Sequence, residues 1–153
     1  MIAMTASVYL ILGKLVIKPT DFNQRRLIYQ SPLFNSSMVL TSMTTILVAV
    51  GAFRPLQGWA ILVTSLLCGT MVTVNFTFYT PIYQSPLFVY LSNLTCFGTI
   101  LGAVYKLNPP HIFDWSILAI LIYTCAAFFY GSYLLQRSAD SHKQRLYAYP
   151  LVN

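Results

Sequence analysis

The chain has 153 residues, of which 57% are apolar, 15% aromatic and only 8% charged. A soluble domain of this length carries more charged surface, so the composition favours a membrane protein. The net charge of +6 arises from nine Lys and Arg against three acids. Because these charges lie at the ends of apolar segments, they indicate membrane orientation and lipid headgroup contact, and not nucleic acid binding.

The first segment in chain order, residues 1–27, is apolar and then basic. Its apolar part, residues 2–17, is shorter than the roughly 20 residues that a spanning helix needs, and it contains Lys14. It predicts either an interfacial packing segment or a fifth span in which the Lys14 side chain reaches back to the headgroups. Arg25 and Arg26 are predicted to contact lipid headgroups.

An internal duplication organises the middle of the chain. The heptapeptide at 28–34 recurs unchanged at 82–88, and 18 of the 52 aligned positions between 28–79 and 82–133 are identical. An uninterrupted identity of seven residues indicates a tandem duplication. We therefore predict two direct repeats, at 28–79 and 82–133, followed by a basic C-terminal tail at 136–153.

Each repeat contains two apolar stretches long enough to cross the roughly 30 Å hydrocarbon core of a bilayer. They lie at 34–53 and 57–78 in the first repeat, and at 87–105 and 115–135 in the second. The sequence therefore predicts an all-α polytopic membrane protein. Its four transmembrane helices form two tandem direct-repeat hairpins, with the N-terminal apolar segment as a packing segment or a fifth span.

The duplicated motif suits a helix entrance. A Ser can cap free N–H groups, and a Pro at the first helical position gives up a donor that had no partner. Tyr suits an interfacial anchor, and Gln can satisfy neighbouring backbone or bind a partner. The motif residues are Tyr29, Gln30, Ser31 and Pro32 in the first repeat and Tyr83, Gln84, Ser85 and Pro86 in the second.

Small and hydroxyl-bearing residues recur every four positions along the predicted helices, which places them on one helix face. We interpret these stripes as helix-packing surfaces, with a path for an ion, a small solute or a lipid headgroup as the second interpretation. Asn75 and Asn93 are the most polar residues at membrane depth and are predicted to join helices or to contact a ligand or pore. The predicted interface residues are Thr41, Thr45, Ala49, Thr95, Thr99, Ala103, Ser65, Gly69, Thr73 and Asn93.

The residue types that carry catalysis are sparse. The chain has no Glu, its two His lie outside the predicted spans, and its three Cys are scattered through apolar runs without C-x-x-C spacing. Acid–base, nucleophilic and metal chemistry need such groups to converge, and proton-coupled transport needs an ionisable group at membrane depth. We therefore predict no catalytic, cofactor or metal site.

The basic residues predict an orientation. Seven lie on the side of the chain ends and two on the opposite side, which by the positive-inside rule places the termini on the cytoplasmic or matrix side. The endoplasmic reticulum, the mitochondrial inner membrane and a prokaryotic membrane all fit. The seven are Lys14, Lys18, Arg25, Arg26, Arg137, Lys143 and Arg145, and the two are Arg54 and Lys106.

Together these features predict a non-catalytic integral membrane protein that acts through helix–helix and lipid contacts, as an accessory or assembly subunit of a larger membrane complex. Its partners would be membrane lipids and other membrane subunits or further copies of itself, with no nucleic acid. The alternatives are an oligomeric channel or facilitator with a Thr-lined path and a lipid-modifying membrane enzyme. Replacing Thr45 and Thr99 by Val separates the channel from the subunit, because only a pore would lose conductance.

Overall fold

Four long apolar helices form a polytopic membrane fold. A computed structural model describes residues 1–15, 29–53 and 59–153, and no strand occurs in these ranges. Each of the four long helices has the length and composition to cross a membrane. The predicted all-α polytopic membrane fold is therefore confirmed. The helices are α1 (Ile2–Leu15), α2 (Ser31–Phe53), α3 (Trp59–Tyr83), α4 (Leu87–Leu107) and α5 (Ile112–Arg137), followed by the short α6 (Ser141–Lys143) and α7 (Tyr149–Val152).

The helix boundaries extend beyond the predicted apolar stretches. α3 continues past position 78 and through Pro81, where the buried side chains of Tyr79 and Thr80 hold its last turn against the bundle. α2 begins at Ser31, and α4 begins directly after Pro86. The Ser-Pro pair of each copy therefore lies at a helix start, whereas Tyr83 in the second copy is the last residue of α3.

α1 runs antiparallel to α2 along the side of the bundle. Ser37 Oγ donates a hydrogen bond to the carbonyl of Ala6 (2.7 Å), and Gln30 Nε2 donates to the carbonyl of Gly13 (3.3 Å). The 14 residues of α1 rise only about 21 Å, less than the hydrocarbon thickness. α1 thus covers the half of α2 that is nearest its start. Positions 16 and 17 of the predicted segment, and Arg25 and Arg26, lie outside the described residues.

The most extensive helix pairing joins α3 to α4 and so crosses the boundary between the two predicted repeats. Aromatic rings pack at the turn between these helices, with centroids 5.5 Å apart for Tyr79 and Phe88 and 6.4 Å apart for Phe76 and Phe88. The pairing of α1 with α2 is the next most extensive, and the two helices within each predicted repeat pack less closely. The core therefore lies among the first four helices, and the division into repeat domains stays a prediction.

A C-terminal segment, defined as residues 141–152, folds back on the end of α5. It consists of α6, a π-helical turn at Gln144–Ala148 and α7. Gln144 Nε2 donates to the carbonyls of Leu135 (3.0 Å) and Ser138 (2.6 Å), which satisfies groups that a helix end leaves without partners. Leu146, Ala148 and Pro150 are buried. The segment is thus a packed part of the fold.

Candidate functional site

A polar cluster joins α1, α2 and α3; it is defined as the half-buried Ser7 and the buried Ser37, Thr41, Asn75 and Tyr79. Ser7 Oγ donates to Asn75 Oδ1 at 2.8 Å, and Asn75 Nδ2 lies 3.5 Å from Thr41 Oγ1. The hydroxyls of Ser37 and Tyr79 share a hydrogen bond, and that of Thr41 lies 3.4 Å from the Tyr79 hydroxyl. One hydrogen-bonded network therefore connects three helices.

The cluster contains only neutral groups, which hydrogen-bond to one another and to nearby backbone carbonyls. Asn75 is 1% exposed, and every buried side-chain polar atom in the described ranges has a hydrogen-bond partner. In lipid such bonds replace those that water would supply, so they favour one arrangement of the helices. The arrangement is suited to holding helices together. Sequence reasoning identified Asn75 and Thr41, but it missed Ser7, Ser37 and Tyr79, whose pairing depends on the position of α1.

We expect Asn75→Leu to lower the free energy of unfolding by about 1 kcal/mol, because it removes the interhelical bonds of the Asn75 amide. Thr70→Val is the matched control on α3, since the Thr70 hydroxyl is exposed and donates to the carbonyl of Leu67 within its own helix (2.9 Å). The stability of both variants is measured by unfolding in mixed micelles with a rising fraction of sodium dodecyl sulfate. Equal unfolding midpoints for the two variants would contradict a role of the cluster in holding the helices together.

The predicted stripe on α4 faces α3. Thr95 and Thr99 are buried, and Gly69 of α3 lies directly against the Thr99 side chain. The hydroxyls of Thr95 and Thr99 donate to carbonyls one turn earlier in α4, at 2.9 and 2.7 Å. The hydroxyl and the methyl group of Thr99 both lie against α3 at Gly69. Ser65, Thr73 and Ala103 are half-buried.

On α2 the buried line departs from the predicted stripe. Thr41 is buried and Thr45 half-buried, whereas Ala49 is exposed. The buried positions of α2 follow a spacing of three, four and three residues and are Phe34, Ser37, Thr41 and Thr44. This spacing matches the 3.6-residue turn of a helix, which a strict four-residue stripe does not follow.

The two identical motifs occupy different environments. Gln30 is buried and donates to α1, whereas Gln84 is exposed and has a φ of 49° in the turn between α3 and α4. Ser85 Oγ accepts a hydrogen bond from the backbone N–H of Leu87 (3.4 Å), which serves the start of α4. α1 therefore gives the first copy a partner that the second copy lacks within the described ranges.

Asn93 connects α4 to α5 and to the C-terminal segment. Its side-chain amide donates to the carbonyl of Pro150 (3.4 Å), and the Tyr123 hydroxyl donates to Asn93 Oδ1 (3.0 Å). Beside these bonds lies a cavity of about 540 Å³, which we call the α5 cavity. Its walls come from α3, α4, α5 and the C-terminal segment. Sequence reasoning placed Asn93 between helices but missed the cavity, because the cavity requires the C-terminal segment to fold back.

The comparisons with known proteins add no relative. No protein-family model matches the chain, and neither the curated proteins nor the solved structures contain a significant match.

Proposed function

We propose that this protein is a non-catalytic subunit of a larger membrane complex and that α5 is the surface on which a partner helix docks. The observation that carries the proposal is the exposure of α5 along its length. In the most apolar 18-residue stretch of α5 no residue is buried. In the corresponding stretches of α2, α3 and α4, 28 to 33% of the residues are buried. Only Gly131 of α5 is buried, and it faces the C-terminal segment.

The chemistry of the exposed α5 surface supports a protein partner in addition to lipid. Exposed aromatic and branched side chains lie on both sides of a run of smaller exposed ones at Thr124, Cys125 and Ala126, so the surface offers both ridges and a place for close approach. Interface cores are enriched in aromatic residues compared with other surfaces. The exposed large residues are Phe113, Trp115, Ile117, Leu118, Leu121, Ile122, Phe128, Phe129, Tyr130 and Tyr133.

The packing of the threonines favours a subunit over a Thr-lined channel. A path for ions needs hydroxyls that face water, whereas Thr41, Thr95 and Thr99 are buried and donate to their own helices. The polar cluster likewise uses its groups to hold helices together. We therefore place the channel second among the candidate functions.

The orientation that accompanies this proposal follows from the basic residues. Four crossings put the start of α2 and the end of α5 on one side of the membrane, and the excess of Lys and Arg on that side favours the cytoplasm or the matrix. The endoplasmic reticulum and the mitochondrial inner membrane fit equally. Arg25 and Arg26 would contact anionic headgroups on the same side.

A photocrosslinking amino acid at position 122 or 46 tests the proposal in the protein's own membrane. Both positions hold Ile in the middle of a long helix, and the two side chains are 62% and 64% exposed, so position 46 on α2 is a matched control for position 122 on α5. We expect a discrete adduct with another membrane protein from position 122 only. Mild-detergent extraction, native mass measurement and identification of the co-purifying chains should give the same partner in fixed stoichiometry.

Two outcomes would overturn the proposal. One is equal crosslinking from positions 122 and 46, which would make α5 an ordinary lipid-facing helix. The other is a homogeneous oligomer of this chain alone. That result would favour the channel and would direct flux measurements to Thr45→Val and Thr99→Val.

A further inference from the structure

The α5 cavity has an apolar interior and a polar end. Its inner wall includes Val89, Ala126 and Ala127, and the polar end includes Lys143 and Tyr147 of the C-terminal segment. Polar groups deeper in the wall already have hydrogen-bond partners. The Tyr123 hydroxyl, for example, donates to Asn93 Oδ1. The cavity is thus complementary to an amphiphile, a molecule with an apolar body and a polar head.

The depth of the cavity matches one leaflet of a bilayer. Along α5 its lining runs from Tyr123 to Ser138, a rise of about 22 Å. α5 itself has 26 residues and rises about 39 Å, so a hydrocarbon core of roughly 30 Å centred on α5 leaves about 5 Å of helix beyond it at each end. The remaining depth is about 17 Å, close to the roughly 15 Å of a single leaflet. A lipid chain entering at the level of Ser138 would reach the middle of the bilayer.

The charge at the polar end selects among lipids. Of the described residues that line the cavity, Lys143 is the only charged one, and its side chain is exposed. The nearest acid in the sequence, Asp140, accepts a hydrogen bond from the backbone N–H of His142 (3.0 Å) at the start of α6. The Tyr147 phenol is a hydrogen-bond donor at neutral pH, and burial raises its pKa further above neutrality. A cation and a phenol donor together suit a phosphate that carries a net negative charge.

We propose that the α5 cavity binds one anionic glycerophospholipid from the leaflet on the C-terminal side. An acyl chain lies between α4 and α5, and Lys143 and Tyr147 contact the phosphate. This inference goes beyond the proposed function, because a lipid in the cavity requires no partner subunit. The two proposals are also tested by different experiments, since lipid binding is measured on the purified chain and partner docking in the protein's own membrane.

Native mass spectrometry of the full chain in mild detergent tests the proposal, with dioleoyl phosphatidylglycerol and dioleoyl phosphatidylcholine as the two probes. We expect one phosphatidylglycerol per chain to be retained in preference to phosphatidylcholine. Lys143→Gln should weaken phosphatidylglycerol binding about fivefold, since a basic side chain near a membrane surface contributes about that factor. Arg145→Gln is the matched control, because it removes the same charge from an exposed position of the C-terminal segment that does not line the cavity. It should have less than half of that effect.

A second pair of variants tests the acyl-chain part of the cavity. Ala127→Phe fills the cavity and should abolish retention of both lipids, whereas Cys125→Phe adds a ring to an exposed position of α5 outside the lining and should leave retention unchanged. Equal retention of the two probes would overturn the proposal, as would equal effects of Lys143→Gln and Arg145→Gln or full retention by Ala127→Phe. If Ala127→Phe fails to fold, the comparison of Lys143→Gln with Arg145→Gln still decides the outcome.

Discussion

Replacing Gly69 by Ala is expected to lower the free energy of unfolding by about 1 to 3 kcal/mol, the range for overpacking a well-packed core. A Cβ at this position would meet the Thr99 hydroxyl and lie 2.6 Å from Thr99 Cγ2, both closer than side chains tolerate, and its 3.0 Å separation from Thr99 Cβ is also tight. Thr99 cannot turn away without cost, because its hydroxyl donates to the carbonyl of Thr95 and its branched side chain has few rotamers in a helix. The helices themselves would have to separate.

Gly98→Ala is the control for Gly69→Ala, since a Cβ at Gly98 meets no atom within 4 Å. The same chemical change there should shift stability by at most about 1 kcal/mol, the difference in helix propensity between the two residues. In the double variant Gly69→Ala with Thr99→Ala, the Thr99 hydroxyl and methyl group are gone and only the 3.0 Å contact with the Cβ remains, so much of the loss should be recovered. No recovery, or equal losses at positions 69 and 98, would show that the α3–α4 contact does not limit stability.

The long helices could be predicted because lipid imposes a strong and simple requirement on sequence. A stretch of about 20 apolar residues has few alternatives to a spanning helix, since the backbone must satisfy its own hydrogen bonds. Helix ends are less constrained. α3 continues to Tyr83 because tertiary packing of Tyr79 and Thr80 outweighs the effect of Pro81, and that packing cannot be read from a local apolar stretch.

The partners of individual side chains were harder to predict than the helices that carry them. Asn75 was recognisable as an interhelical group because an amide in lipid needs a partner. Its actual partner, Ser7, lies 68 positions away in α1, a segment whose length left its role open between a packing helix and a span. Ala49 was grouped with Thr41 and Thr45 from a four-residue spacing, but its side chain is exposed because the buried face of α2 follows the helical turn.

The α5 cavity could not be predicted for a related reason. Its polar end depends on the C-terminal segment folding back on α5, and sequence reasoning treated that segment only as a basic tail. The C-terminal segment can fold back because Gly131 has no side chain, which lets the segment approach α5 closely. A glycine in an apolar helix indicates close packing without identifying the partner.

Replacing Gly131 by Val should release the C-terminal segment from α5. A Cβ at position 131 would lie 2.8 Å from both Leu151 Cβ and Val152 Cγ2 and 3.3 Å from the backbone oxygen of Ala148, which is part of a helical turn and cannot move alone. Overpacking of this kind costs about 1 to 3 kcal/mol. Because local opening governs amide exchange, residues 141–152 should exchange hydrogen for deuterium about tenfold faster or more.

Gly98→Val is the matched control for this release, because a Cβ at position 98 meets no atom within 4 Å. Exchange measured by mass spectrometry should increase in the C-terminal segment of Gly131→Val and stay unchanged in the core of the bundle. Unchanged protection of residues 141–152 would show that α5 and the C-terminal segment adapt to the added side chain. If the segment is released, Lys143 and Tyr147 leave the polar end of the α5 cavity together. Gly131→Val should then lose anionic lipid more completely than Lys143→Gln, since it removes the wall of the cavity as well as its charge.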